Sequence, residues 1–181
     1  GGKEVQQQIF SREESYLIAT EAHETPMTFY TTKWKIAFDA RELPPLGFKT
    51  YTVRPQSGNH SNYGSQITGQ NNMENEYLCV KIQSDGALSV LDKMTGNKFE
   101  GILYFEDCGE AGDPWMHIKP FADRIYYSSG SSVQIQLLED GPLLTSYNIK
   151  LKWLLPAQLD RFNKQRSKDE KEIIICSKVT L

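Results

Sequence analysis

Residues 146–153 read Ser-Tyr-Asn-Ile-Lys-Leu-Lys-Trp. Tyr147, Ile149, Leu151 and Trp153 alternate with Ser146, Asn148, Lys150 and Lys152. A period of two sends one set of side chains to the core face of a sheet and the other to water. The same alternation recurs at Trp34, Ile36 and Phe38, against Lys35, Ala37 and Asp39. It recurs again at Val133, Ile135 and Leu137, against Gln134, Gln136 and Leu138. Apolar spacing of three and four, which a helix needs, is not sustained in any convincing window. Turn signals separate the strand-like runs: Ser84-Asp85-Gly86, Asp92-Lys93-Met94-Thr95-Gly96 and Asp140-Gly141-Pro142. The 8 prolines lie outside the centres of these runs, as befits residues that cannot donate to a ladder. Many short strands with frequent turns predict an all-β sandwich.

Working outward, the stretch from Gln56 to Met73 is rich in Ser, Gly, Asn and Gln and almost free of aliphatic residues. Such a segment buries too little surface to order itself and reads as a linker or long loop. It divides the chain into a small β domain, residues 1–55, and a larger β unit, residues 74–181. Lys178-Val179-Thr180-Leu181 still has strand character, so the larger sandwich is expected to be truncated at its C-terminus. The mixed-sign run Asn163–Glu172 reads as a solvated loop.

Composition narrows the function classes. The chain has 181 residues, 39% hydrophobic and 24% charged, with net charge −3. Binding to nucleic acid or to an acidic membrane surface calls for concentrated basic charge, which this sequence lacks. No stretch has the length and apolarity of a membrane helix, and no basic-then-apolar N-terminal signal is present. Cys79, Cys108 and Cys176 are too widely spaced for a zinc knuckle, and three is an odd number for a disulfide framework. Cys79 and Cys176 are expected to be buried free thiols in a cytoplasmic protein.

Four passages in register resemble one family. Leu46-Gly47-Phe48-Lys49-Thr50-Tyr51 resembles the strand entry that closes the small β domain of bacterial family 38 glycoside hydrolases, the α-mannosidases. Glu74-Asn75-Glu76-Tyr77-Leu78, Asp85-Gly86 and Leu91-Asp92-Lys93-Met94-Thr95-Gly96 resemble the start of that family's large sandwich. Residues Phe105–Asp113 look like its acidic loop. Leu155–Arg161, Arg166-Ser167 and Val179-Thr180-Leu181 are similar to a late hairpin. The resemblance runs from about residue 43 to the end.

It implies a small β-sandwich domain followed by the first part of a large galactose-mutarotase-like β-supersandwich, taken from a modular enzyme. It further implies that the parent hydrolyses α-mannosides with retention, using two carboxyl groups about 5 Å apart. Zinc and the Asp nucleophile would lie in the parent's N-terminal catalytic domain, so this piece would be inactive alone and hold no cofactor. Its partners would be the remaining domains of the parent and mannosides, with homo-oligomers left open.

A site within the chain itself is a separate question. His23, His60 and His117 are scattered and form no zinc-ligand pattern. Each reads as a surface or loop histidine, and no catalytic or metal-ligating residue is assigned. Asn59-His60-Ser61 fits a glycosylation sequon by chance. No nucleophile elbow or phosphate-binding glycine loop is present. One segment stands above background. Glu106, Asp107, Glu110 and Asp113 lie within eight residues, and Trp115 and His117 follow. Like charges so close raise one another's pKa values if buried, so such a run stays in solvent or surrounds a cation or hydroxylated ligand. An aromatic ring beside carboxylates also suits sugars, because the ring stacks on C–H faces while the acids accept from hydroxyls. Three readings stand: an exposed acidic turn, a loop lining the parent's substrate cleft, and a calcium site whose spacing does not match an EF-hand. At the level of the whole chain, an independent carbohydrate-binding sandwich and a purely structural interaction domain are the alternatives to an enzyme fragment.

Overall fold

The computed structural model describes residues 3–20, 25–54, 64–160, 162 and 165–181. His23, His60, the sequon at Asn59, residues 56–63 of the expected linker and residues 163–164 lie outside the described residues. Among the described residues every regular element is a β-strand, as the alternation predicts. The strands are β1 (Gln7–Ala19), β2 (Met27–Phe38), β3 (Ile67–Gly69), β4 (Asn72–Glu74), β5 (Leu78–Ile82), β6 (Leu88–Asp92) and β7 (Lys98–Ile102). They continue with β8 (Glu106–Asp107), β9 (Tyr126–Tyr127), β10 (Ser132–Glu139), β11 (Ser146–Pro156), β12 (Leu159–Asp160), β13 (Gln165–Arg166) and β14 (Glu170–Thr180). The chain divides into two compact units, one of residues 1–66 with 139–145, the other of residues 67–138 with 146–181.

The first unit is built on one long antiparallel hairpin, β1 against β2, with Gln7 opposite Phe38 and Ala19 opposite Met27. The register shifts between Ile9 and Ser11, a bulge that leaves one residue unpaired and bends the ribbon. Arg12 sits over the Trp34 ring at 5.4 Å. The alternating face of β2, expected to be core, is largely open: Trp34 is 46% exposed, and Ile36 and Phe38 are similarly uncovered. A two-stranded sheet has no second layer of its own to cover it. Burial in this unit centres instead on Gln8, which is 0% exposed. Its Nε2 donates to the Leu144 carbonyl at 2.7 Å, and its Oε1 accepts from the N–H groups of Leu143 at 3.0 Å and Leu144 at 2.8 Å. One side chain thus satisfies three backbone groups of a segment 135 or more residues away. Gly141 completes the fit: a Cβ there would stand 2.2 Å from Gln8 Cδ.

The second unit holds a five-stranded antiparallel sheet in the order β3-β4-β5-β6-β7 and a three-stranded sheet in the order β10-β11-β14. Met73, Val80, Ile82 and Leu88 from the first sheet meet Tyr147 and Ile149 from the second in one buried cluster. The sheets therefore pack as a sandwich, with the alternation of 146–153 placed as the sequence predicts. Tyr147, Ile149, Leu151 and Trp153 face in, and each such burial stabilises the fold by about 1.5–3 kcal/mol. Ser84-Asp85-Gly86 does form the turn between β5 and β6. Gly86 has φ +85 and lies against Ile149 and Val133, where a Cβ would press on both. At the next turn Asp92 accepts from the N–H groups of Met94 and Thr95 and from the Thr95 hydroxyl. These bonds, the hydroxyl's first, hold its carboxyl below the usual range.

Three readings of the sequence change here. Strand β3 and the first two residues of β4 fall inside Gln56–Met73, expected to be a linker or long loop, and Met73 at its end is wholly buried. Backbone pairing needs no aliphatic side chains, so polar composition hid two short strands. Cys176 is exposed rather than buried, because Ile175 and Ser177 take the inward positions of β14 and leave Cys176 opposite Lys150. Cys79 is half-buried. The run Asn163–Glu172 carries β13 and the start of β14, and its Arg166 side chain is only 13% exposed.

Candidate functional site

The candidate loop hangs from a short ladder in the second unit. Glu106 pairs with Tyr127 and Asp107 with Tyr126. The ladder is closed by Ser128, whose N–H donates to the Phe105 carbonyl at 2.9 Å and whose hydroxyl accepts from the Phe105 N–H at 3.0 Å. Phe105 and Tyr126 pack on Leu151, Trp153 and Leu155, so the base of the loop is anchored in the core. Tyr126 and Tyr127 form β9.

From that base the loop is braced by its own acids. Gly109 N–H donates to the Asp123 carboxylate at 3.0 Å. Gly109 packs so tightly on Pro120 that a Cβ would approach its Cγ to 2.6 Å. Glu110 accepts from the N–H of Gly112 at 2.5 Å and of Ile118 at 3.0 Å, and its other oxygen meets His117 Nδ1. The backbone N–H of Ile118, then that of Gly112, and less strongly His117 pull the Glu110 carboxyl down to about 2. Asp113 Oδ1 accepts from the N–H groups of Trp115 and Met116, both at 2.9 Å. Ala111 and Ile118 add a backbone bond across the loop at 2.8 Å. Gly112 has no room for a side chain, since a Cβ would stand 1.9 Å from the Met116 carbonyl.

The six residues singled out from sequence therefore separate by role. Glu110 and His117 are brought together, and Asp113 caps the turn that presents Trp115. Trp115 is 88% exposed, with Met116, Ile118 and Phe121 also open to solvent. Asp107 is drawn away to Arg166, which it meets in an ion pair without an aligned hydrogen bond. Glu106 is exposed on β8. Four carboxylates coexist here because three of them have separate partners, so their mutual repulsion is offset locally. Among the described residues no three His, Cys, Asp or Glu side chains converge as metal ligands. The cavity lined by Gly86, Phe105 and Leu151, among others, has a volume of about 10 Å³, room for one water and far too little for a sugar ring.

Sequence reasoning gave no role at this loop to Asp123, Arg124, Tyr126 or Arg166. Arg166 lies 5.0 Å and Arg124 5.4 Å from the Tyr126 ring centroid. Arg166 was hidden in a charged run. Arg124 shows no pattern in sequence, because its place depends on a ring two residues on.

An α-mannosidase from Enterococcus faecalis matches over 99% of this chain with a TM-score of 0.77 at 23% identity. A protein in glycosyl hydrolase family 38 from the same organism matches over 99% with a TM-score of 0.68 at 25% identity. This chain has a family 38 β fold. It spans 22% and 23% of those two chains. In sequence it is 25% identical over 151 residues to a Halalkalibacterium halodurans protein provisionally described as a mannosylglycerate hydrolase, covering 81% of this chain and 16% of that one. No family model matches the chain. All three relatives are more than four times longer than the matched region.

Proposed function

We propose that this chain is a non-catalytic β-sandwich portion of an α-mannosidase, inactive alone, whose 106–117 loop lines the substrate cleft of the parent. The observation that carries the reading is the fold match over 99% of this chain to a protein of which it spans only 22%. The parent would hydrolyse α-mannosides, mannosylglycerate among them, with retention. The nucleophile and any zinc would come from other domains. Among the described residues the donor set gives no support for zinc, because Glu110 and His117 offer two groups and Glu110 is already engaged by backbone N–H groups.

In this reading the chain's own residues bind and orient. Trp115 offers an open ring for the C–H face of a sugar, and Asp113 fixes the turn that holds it there. Glu110 stays charged at any physiological pH and, through Gly112, Ile118 and His117, holds the loop in shape. The uncovered face of the β1–β2 hairpin, with Trp34, Ile36 and Phe38, packs against other domains of the parent. Two measurements test the proposal. Purified chain, incubated with an aryl α-mannoside with and without added zinc, releases no product above buffer; zinc-dependent hydrolysis overturns the assignment of inactivity. Titration with methyl α-mannoside, followed by NMR, shifts the Trp115 and Gly112 signals at millimolar sugar, and Trp115→Ala abolishes the shifts. An unchanged spectrum refutes the cleft role of the loop.

A further inference from the structure

Tyr126 is flanked by two guanidinium groups that are not equivalent. Arg166 is mostly covered and its charge is matched by Asp107; it also reaches the Asp107 carbonyl at 3.5 Å. Arg124 is exposed, and among the described residues it has no carboxylate partner. Three acids of the loop and its base are engaged elsewhere, and the exposed Glu106 on β8 forms no ion pair with it. Asp107 faces Arg166, Asp123 receives the Gly109 N–H, and Glu110 is held by Gly112, Ile118 and His117. What remains is an exposed cation 5.4 Å from the centroid of an aromatic ring. The ring restrains the guanidinium, which reduces the ordering needed when a ligand binds. A planar fork of this kind matches a carboxylate through two parallel N–H···O bonds. A neutral sugar offers only hydroxyls and gains little from it.

We infer that Arg124 is a specificity residue that receives a carboxylate carried on the aglycone of an α-mannoside. This rests on the reading of the adjoining loop as a sugar contact. The tie between Gly109 and Asp123, next to Arg124, holds the base of that loop beside the cation.

The test is calorimetric titration of the full chain with 2-O-α-mannosylglycerate and with methyl α-mannoside. The anionic glycoside is expected to bind about tenfold more tightly, the worth of one charge-assisted pair at an exposed site. Arg124→Gln is expected to bring the two affinities together. Arg124→Lys, which keeps the charge and loses the fork, leaves an intermediate preference. Added salt narrows the wild-type difference. Arg124→Gln should leave the denaturation midpoint unchanged, which separates lost recognition from lost folding. Equal affinities in the wild type, or a preference that survives Arg124→Gln, overturn the inference. Methyl α-mannoside binding without a preference removes the role of Arg124 alone. Failure of both glycosides to bind removes the sugar-contact reading together with it.

Discussion

Gln8→Ala removes three hydrogen bonds at once from a site with no access to solvent. The Leu143 and Leu144 N–H groups lose their acceptor and the Leu144 carbonyl loses its donor. At a net worth of about 1 kcal/mol each, the direct loss is about 3 kcal/mol. Water entering the space left by the amide returns part of this, so the expected loss is about 2–3 kcal/mol. The loss should appear as a lower urea midpoint, and hydrogen exchange should show the Leu143 and Leu144 amides unprotected. Gly141 gives an internal check. Gly141→Ala alone must displace Gln8, whose Cδ would lie 2.2 Å from the new Cβ. In the Gln8→Ala background that obstacle is gone, so the double variant should be more stable than the two single losses added together. Gln8→Glu places an acceptor against the Leu144 carbonyl. That contact is repulsive while the two N–H groups keep their acceptor, so Gln8→Glu should lower the urea midpoint at neutral pH. A change below about 0.5 kcal/mol for Gln8→Ala, the size of an ordinary surface substitution, with both amides still protected, would refute the clamp.

Leu151→Ala opens a cavity in the second unit, where the side chain is buried against Trp153 and Leu155, and should cost about 2–5 kcal/mol by chemical denaturation. Gly112→Ala should reshape the loop while leaving the global midpoint in place, because the clash is with the Met116 carbonyl of the same exposed loop; the readout is Trp115 fluorescence against the denaturation curve. The Glu110 carboxyl is lowered to about 2. Its bracing is therefore complete above the unfolded value near 4.5 and lost as pH falls toward 2. The Gly112 and Ile118 amide signals should titrate in that acid range, and Glu110→Gln should remove the titration.

The strands were legible wherever one face is buried, and least so where polar atoms do the ordering. The run Tyr147 to Trp153 announces its own burial because every second residue is apolar. The same pattern at Trp34, Ile36 and Phe38 announces a strand but not its cover, since alternation reports a preference for burial and says nothing of what supplies it. β3 and β4 were missed because backbone pairing needs no side-chain signal. Gln8 was missed because its partners lie more than a hundred residues on. At the loop, the acids and Trp115 stood out by composition. Their division into braces and an exposed ring depends on which N–H group or guanidinium each one meets, and that follows only from the fold.

The β1–β2 ribbon also has a mechanical consequence. Its thirteen-residue strand extends about 44 Å at 3.4 Å per residue. The cross-strand bonds lie perpendicular to that length. Tension that parts the strands at the Ala19–Met27 end therefore loads one pair at a time and peels the ribbon at low force. Tension along the strands, applied at opposite ends, loads every pair together and meets far greater resistance. The ribbon is compliant in one direction and stiff in the other, and the bulge between Ile9 and Ser11 marks where peeling reaches the stretch anchored by Gln8.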